Sequence, residues 1–250
     1  MAKISQINRF PVKGLSGEAL DAVELRSGEL LPNDRRFAIW HGRGRIDPAS
    51  PVWKPKGFFL QLMSNERLAR LQTEFDAASG TLTILRKGRQ VARGKITDPV
   101  GRTVIEQFIA AYMKDDLRGS PKLLECADHG FSDEREAYVS LINAASVKDM
   151  ERVVGRPVSV DRFRGNFIID GLEPWAELGW VDKTIRIGGV SLQVAARTGR
   201  CAAIDVDPES GERDAALPQA MTNAYGHSDC GMFAMVAEGG RISVGDAVEI

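Results

Sequence analysis

Residues 194–211 read Val194-Ala195-Ala196-Arg197-Thr198-Gly199-Arg200-Cys201-Ala202-Ala203-Ile204-Asp205-Val206-Asp207-Pro208-Glu209-Ser210-Gly211. An apolar strand is predicted to run in from Ile185 to Ala196 and to break at a basic turn, Arg197 to Arg200, that contains Gly199. Cys201 follows at once. The chain then resumes as an apolar strand and stops at an Asp-Pro-Glu-Ser-Gly turn. Cations beside a thiol favour its thiolate form. A thiolate is what a soft metal ligand or a nucleophile must be. The alternative is a packed structural thiol, the common fate of a free cysteine.

Outward from this stretch, composition narrows the class. The 250 residues suffice for one large or two small domains, and 43% apolar content supports a full core. A net charge of −1 gives no bulk attraction to nucleic acid or to an anionic membrane. The three cysteines, Cys126, Cys201 and Cys230, are odd in number and far apart. They form neither a disulfide framework nor a CxxC pair for zinc or an iron–sulfur cluster. A reducing cytoplasm fits that usage. Met1 to Ile7 carries no secretory or evident transit pattern, and no window reaches the roughly 18 apolar residues a membrane helix needs.

In chain order, residues 3–12, 18–26 and 37–40 read as strands, and 45–57, with three prolines, as loop. Ser64 is predicted to cap a helix whose face is Leu68, Leu71 and Phe75 and which ends at Gly80. Residues 81–86 and 89–96 read as a hairpin around Lys87-Gly88, and Pro99 to Met113 as a second helix. The polar run 115–122 is the candidate linker, which divides the chain into domains 1–118 and 119–250. Beyond it come strands at 122–126, 138–142 and 167–170, a helix near 147–154, a short helix at 217–225 and closing strands from Met232 to Ile250. Short strands and glycine turns without a βαβ rhythm predict a mostly β, α+β fold. It is expected to be largely antiparallel and barrel-like, with helices packed on the sheets.

Basic residues recur at loop edges: Lys13, Arg35, Arg162, Arg164, Arg197 and Arg200. Asn143, Ser146 and Asn166 stand in similar places. Arginine forks, with Ser146 at a helix N-terminus, could hold a phosphate. Solvated surface charge is the alternative for any one of them. No GxSxG, P-loop or post-strand GxGxxG is present. His41, His129 and His227 are far apart, and His227 with Cys230 lacks the second pair that a zinc site usually needs. Asp205 and Asp207 read as turn-forming surface residues rather than an acid/base pair.

Arg200-Cys201, followed by Asp205-Val206-Asp207-Pro208-Glu209-Ser210-Gly211, resembles the MOSC family, the molybdenum cofactor sulfurase C-terminal domain. Four further segments agree in order. Arg9-Phe10-Pro11-Val12-Lys13-Gly14 resembles the YPVKS opening of the β-barrel domain that precedes MOSC, and Asp34-Arg35-Arg36-Phe37 its DRxW/DRxF element. Arg162-Phe163-Arg164-Gly165-Asn166 resembles RFRPN, and Gly240-Arg241-Ile242-Ser243-Val244-Gly245-Asp246-Ala247-Val248 resembles the closing GxIxVGDxV strand.

The resemblance implies an N-terminal β-barrel-like domain plus a MOSC β-barrel domain. It implies the molybdopterin form of molybdenum cofactor, with Cys201 as both molybdenum ligand and catalytic residue. Lys13, Arg35, Ser146, Arg162, Arg164, Asn166 and Arg200 are then the expected cofactor-binding residues. Similarity to the mitochondrial amidoxime-reducing component and its bacterial counterparts implies reduction of N-hydroxylated or N-oxide small molecules. No iron–sulfur cluster or ferredoxin-like extension is expected in this chain, so electrons come from a separate protein. A molybdenum-cofactor or sulfur-carrier module using a Cys201 persulfide is the alternative. The sequence departs from the family at Gly14, Gly165 and Thr198, and Trp53-Lys54-Pro55-Lys56 lacks the usual threonine–arginine element.

Overall fold

The computed structural model describes residues 1–42, 44–126 and 130–250. His129, and Arg43 in the loop read at 41–44, lie outside the described residues. The first half contains β1 (Lys3–Arg9), β2 (Glu18–Leu20), β3 (Ala22–Leu25), β4 (Phe37–Trp40), β5 (Gln72–Asp76), β6 (Thr81–Arg86), β7 (Arg89–Lys95) and helix α1 (Pro99–Tyr112). Then follow β8 (Lys122–Glu125), β9 (Tyr138–Asn143), α2 (Ala144–Val154), β10 (Phe167–Asp170), β11 (Thr184–Ile187) and β12 (Val190–Gly199). The chain closes with α3 (Leu217–Tyr225), β13 (Asp229–Glu238), β14 (Gly240–Ser243) and β15 (Val248–Glu249). The fold is mostly strand with three α-helices, an α+β arrangement.

An eight-stranded sheet runs β15-β11-β12-β13-β9-β10-β1-β2. Its ladders are antiparallel except β9–β10, which α2 connects as a parallel crossover. Smaller sheets pair β14 with β3, β4 with β8, and β5-β6-β7 in order. Strands from both halves of the chain therefore share sheets. Among the described residues each sheet is open rather than closed into a ring. Ile4, Ile7, Leu141, Phe167, Leu192 and Met232 belong to one core under the large sheet. Phe37, Leu68, Leu82, Ile105 and Ile109 belong to a second core beneath β4–β7 and α1.

Local chemistry explains the helices. Asp98 accepts from the Gly101 amide at 2.9 Å and Pro99 occupies the first turn of α1, so two features of a helix start coincide. Asn143 caps α2 through the Ala145 amide at 3.0 Å, and Gly155 ends it in the left-handed region.

Several expectations change. The helix expected over Ser64 to Gly80 is a short 3₁₀ turn at Glu66–Arg70 followed by strand β5. Leu68, Leu71 and Phe75 have helical spacing, but Gln72–Asp76 pairs with β6 instead, and Thr73 donates its amide to Ser16 Oγ at 2.7 Å. The strand read over 18–26 splits into β2 and β3, which join different sheets. The run from Ile185 to Ala196 is a hairpin, turned at Gly188 (φ +56°), and β12 continues through the basic segment to Gly199.

The strand expected after Cys201 is a 3₁₀ turn, Ala202–Asp205. The Arg162 guanidinium donates to the Ile204 and Asp205 carbonyls at 3.4 and 3.2 Å, and pairing of this segment is confined to an isolated antiparallel bridge between Val206 and Arg213. Asp207 does form the expected turn, accepting from the Glu209 and Ser210 amides. Asp205, expected at the surface, is buried and accepts from the Leu217 amide at 2.7 Å, at the start of α3.

Candidate functional site

The end of β12 delivers Arg200 and Cys201 to a cleft of about 440 Å³. Lys13, just after β1, Arg35, just before β4, and Arg164, after the 3₁₀ turn Val160–Phe163, line the same cleft. Segments over 180 residues apart in sequence thus bring their cations to one place beside one thiol. Phe163, Tyr138 and Phe233 supply apolar wall, and Tyr138 stacks on Phe233 at 5.6 Å between centroids.

Arg35 and Arg164 both hold left-handed backbone, with φ of +48° and +51°. Non-glycine residues pay about 1–3 kcal/mol for such conformations and keep them where surrounding contacts enforce them. Those contacts are present. Asp34 accepts from the Phe10 amide at 2.8 Å and from Arg35 Nη1 at 2.5 Å. The Arg35 amide donates to the Phe10 carbonyl at 2.7 Å. Arg35 Nη2 donates to the Arg164 carbonyl at 3.0 Å. Both guanidinium groups lie over the Phe10 ring, 4.6 Å (Arg35) and 4.3 Å (Arg164) from its centroid.

Electrostatically the cleft favours an anion. Among the described residues Arg164 has no carboxylate partner, and burial with Arg35 nearby pushes its pKa down to about 9. Arg200 spends Nε on the Cys230 carbonyl (2.8 Å) and Nη1 on the Phe163 carbonyl (2.9 Å). Its Nη2 is buried without a hydrogen-bond partner, and burial lowers its pKa too. Partly desolvated cations without an ion-pair partner are costly, and an incoming anion relieves that cost.

The two lysines are held differently. Lys13, only 7% exposed, donates to the Phe131 carbonyl at 2.8 Å and to Asp133 Oδ1 at 2.5 Å. Burial outweighs Asp133 and lowers the Lys13 pKa. Lys56 lies 3.2 Å from Asp133 Oδ2 and 3.5 Å from Cys201 Sγ. Burial works against its charge, but Asp133 and Cys201 together raise its pKa. Burial alone would raise Asp133, yet Lys13 and Lys56 hold it at about 2. Sequence reasoning singled out neither Lys56 nor Asp133. Their contacts join loops 77 residues apart and leave no local pattern.

The remaining sequence-named residues are placed as follows. Arg162 borders the cleft, but its guanidinium is spent on Asp207 at 2.9 Å and Asp214 at 2.9 and 3.0 Å. Asn166 also borders it, with Oδ1 accepting from the Ser140 amide and hydroxyl and Nδ2 donating to the Asn8 carbonyl. Arg197 donates Nε to the Leu178 carbonyl. Ser146 is fully buried away from the cleft lining, where Oγ meets Glu177 at 2.9 Å and accepts from the Trp175 amide. Asn143 donates to the same Glu177 at 2.8 Å. His227 accepts from the Asp229 amide, and Cys230 is buried, its pKa pushed up to about 12 by that burial. Among the described residues no three His, Cys, Asp or Glu side chains gather as a metal site.

The basic cleft and its thiol are built from the segments that carry the sequence motifs, and comparison covers the same ground. Residues 1–120 match the MOSC N-terminal beta barrel domain and residues 127–249 the MOSC domain. The chain belongs to the MOSC-domain family. This MOSC protein is 36% identical over 247 residues to the molybdenum cofactor sulfurase of Solanum lycopersicum, which covers 84% of this chain and 29% of that one. It is 31% identical over 120 residues to mitochondrial amidoxime-reducing component 1 of Danio rerio, covering 45% of this chain and 36% of that one. The chain thus spans under two-fifths of the length of either relative. Among solved structures, the YUAD protein of Bacillus subtilis aligns over 99% of this chain and 94% of its own, with 12% identity and a TM-score of 0.46. Among the described residues no helix is long and apolar enough to cross a membrane.

Proposed function

We propose that the cleft binds the molybdopterin form of molybdenum cofactor and that Cys201 is the protein's ligand to the metal. One observation carries this reading: Arg164 and Arg200, both half-buried and neither in an ion pair among the described residues, line the same cleft as the half-buried Cys201 thiol. The donor set fits the group. A soft sulfur suits a metal–dithiolene centre, and arginine forks suit a phosphate. Arg35, Arg164 and Arg200 hold the anionic part, Lys13 adds charge from the floor, and the Phe10 ring keeps Arg35 and Arg164 in place. Lys56 Nζ lies 3.5 Å from the Cys201 sulfur and places a cation beside it. When bound, the cofactor supplies two-electron redox chemistry at molybdenum.

On this reading the protein is an oxidoreductase. It removes oxygen from N-hydroxylated or N-oxide small molecules, with electrons from a separate redox protein. Similarity to the Danio rerio amidoxime-reducing component supports that choice, and the aromatic wall of Tyr138 and Phe233 offers a flat surface for such a substrate. Elemental analysis of protein made in a host that produces the cofactor tests the proposal. Near-stoichiometric molybdenum that disappears in Cys201→Ser supports it. Absence of molybdenum together with cyanide-releasable sulfur on Cys201 replaces it with a sulfur-carrier function, in line with the similarity to a molybdenum cofactor sulfurase.

A further inference from the structure

The turn after Cys201 pairs with no strand beyond the Val206–Arg213 bridge, so the carbonyls around it depend on side chains for donors. Their partners can be followed one by one. The Cys201 carbonyl accepts from the Ile204 amide at 3.2 Å and the Ala203 carbonyl from the Val206 amide at 3.3 Å, as a 3₁₀ turn requires. Arg162 donates to the Ile204 and Asp205 carbonyls. The Ala202 carbonyl, next along the chain from the thiol, accepts from Arg213 Nη1 at 2.6 Å.

Arg213 reaches further than this turn. Its Nη2 donates to the Met63 carbonyl at 3.0 Å and to the Leu62 carbonyl at 3.4 Å, in the first half of the chain. Leu62 lines the cleft together with Gln61 and Lys56. One guanidinium therefore ties the residue after Cys201 to the segment that follows Lys56. The 3.5 Å gap between Cys201 Sγ and Lys56 Nζ spans the same two segments. The Arg213–Glu66 ion pair, 3.5 Å long between side chains 34% and 42% exposed, adds little to this grip. Arg70 makes a second link between the halves, donating to the Ser210 carbonyl at 2.8 Å, but it does not hold Ala202.

We propose that Arg213 is a positioning residue for Cys201. Gripping the Ala202 carbonyl with one nitrogen and the Leu62 and Met63 carbonyls with the other, it sets the distance between the thiol and the Lys56 ammonium. It acts through the backbone of neighbouring residues and not on the sulfur itself. The inference rests on Cys201 as the working group of the cleft, whichever group that thiol binds.

Ortho-phthalaldehyde reads the distance directly, because within one protein it condenses with a thiol and a primary amine that are in contact and gives a fluorescent isoindole. The full chain is purified from a host that makes no molybdenum cofactor. Wild-type protein should form the isoindole, and Cys201→Ser and Lys56→Gln should each abolish it, which assigns the signal to this pair. Arg213→Gln should slow its formation by about fivefold or more, the scale of one lost charge-assisted hydrogen bond. Arg70→Gln removes the same charge from the same junction and leaves Ala202 held, and Glu66→Gln removes only the ion pair. Each should change the rate by less than about twofold. A merely structural role would lower the melting temperature in Arg213→Gln and Arg70→Gln without separating their rates. If the glutamine variant does not fold, Arg213→His takes its place with the same expected loss.

Wild-type protein that forms no isoindole, an unchanged rate in Arg213→Gln, or an equal loss in Arg70→Gln overturns the assignment. Molybdenum content in a cofactor-producing host is read separately. If wild-type protein holds no molybdenum yet the Arg213→Gln loss appears, the positioning role stands and the cofactor reading falls. If wild-type protein holds molybdenum and the loss is missing, the positioning role alone falls.

Discussion

Arg35 Nη2 donates to the Arg164 carbonyl at 3.0 Å, so one cleft arginine holds the left-handed backbone of the other. The two guanidinium groups share the Phe10 ring as well. Their roles therefore separate on substitution. Arg164→Ala removes a half-buried charge that has no ion-pair partner among the described residues and leaves the Asp34–Arg35 pairing intact. It should lower molybdenum retention without lowering the melting temperature. Arg35→Ala should lower both, because the Asp34 carboxylate loses its buried partner and the Arg164 carbonyl its donor. Arg35→Lys restores charge but not the fork that reaches Asp34 and Arg164 together, and should recover only part of either property. Metal analysis beside thermal melts reads both effects. Equal loss of stability in the two alanine variants removes the distinction.

The three thiols should differ sharply in reactivity. Cys201 is partly exposed and in contact with the Lys56 ammonium, whereas Cys126 and Cys230 are buried and Cys230 is pushed up to about 12. Thiolates alkylate and buried thiols do not. Brief iodoacetamide treatment of the native protein, followed by peptide mass spectrometry, should label Cys201 first and leave Cys230 unmodified until the protein unfolds. Lys56→Gln should slow labelling of Cys201. Comparable labelling of Cys201 and Cys230 in folded protein contradicts this placement.

Asp149 links α2 to α3 and to the loop after β10. It accepts from Arg152 Nε at 2.8 Å, from the Tyr225 hydroxyl at 2.6 Å and from the Trp175 indole at 2.9 Å. These hydrogen bonds, Arg152 first, hold its pKa at about 2 against an ordinary value of 3.8. A depressed carboxyl stabilises the fold fully above its unfolded pKa. That contribution is lost as pH falls through the folded value. Wild-type protein should therefore exceed Asp149→Asn in stability at pH 6, and the difference should shrink between about pH 4 and pH 2. Urea melts of both proteins across that range measure it, and a gap that does not close with acid rules out this linkage.

The sequence showed the ends of the cleft better than its middle. Lys13, Arg35, Arg164 and Cys201 sit at strand or turn ends with glycine or proline nearby, and such positions face a cleft when strands from separate segments meet. Ser146 follows the same logic as a helix N-terminal hydroxyl, but Glu177, 31 residues on, folds over it and takes the hydroxyl into the core. Lys56 and Asp133 depend on loop-to-loop approach, which no periodicity records. The false helix over 64–80 has a similar cause. Leu68, Leu71 and Phe75 satisfy both a helical face and a turn followed by a strand, and only the non-local partner β6 decides between them.

Gly165 stands where the family motif has proline, and the fold supplies a reason. Its backbone passes against Ile142 on β9, and a Cβ at residue 165 would lie 2.3 Å from Ile142 Cγ1. Ile142 is itself fully buried, packed with Val147, Phe163 and Ile168 between the sheet and α2, so it has little room to withdraw. Gly165→Ala should thus destabilise by about 1–3 kcal/mol, the usual range for overpacking a close-packed core. The site should feel the change as well, because Arg164 precedes this residue and Asn166 follows it. A compensating Ile142→Ala removes both the Cγ1 and the Cδ1 atoms that the new Cβ would meet, and in the Gly165→Ala background it should cost less than it does alone. On its own, Ile142→Ala should cost about 2–5 kcal/mol, as large-to-small core substitutions do. The double-mutant cycle from denaturant unfolding therefore has a defined sign: the two substitutions together should cost less than their sum. Strict additivity would show that the tight approach at Ile142 is not what keeps residue 165 a glycine.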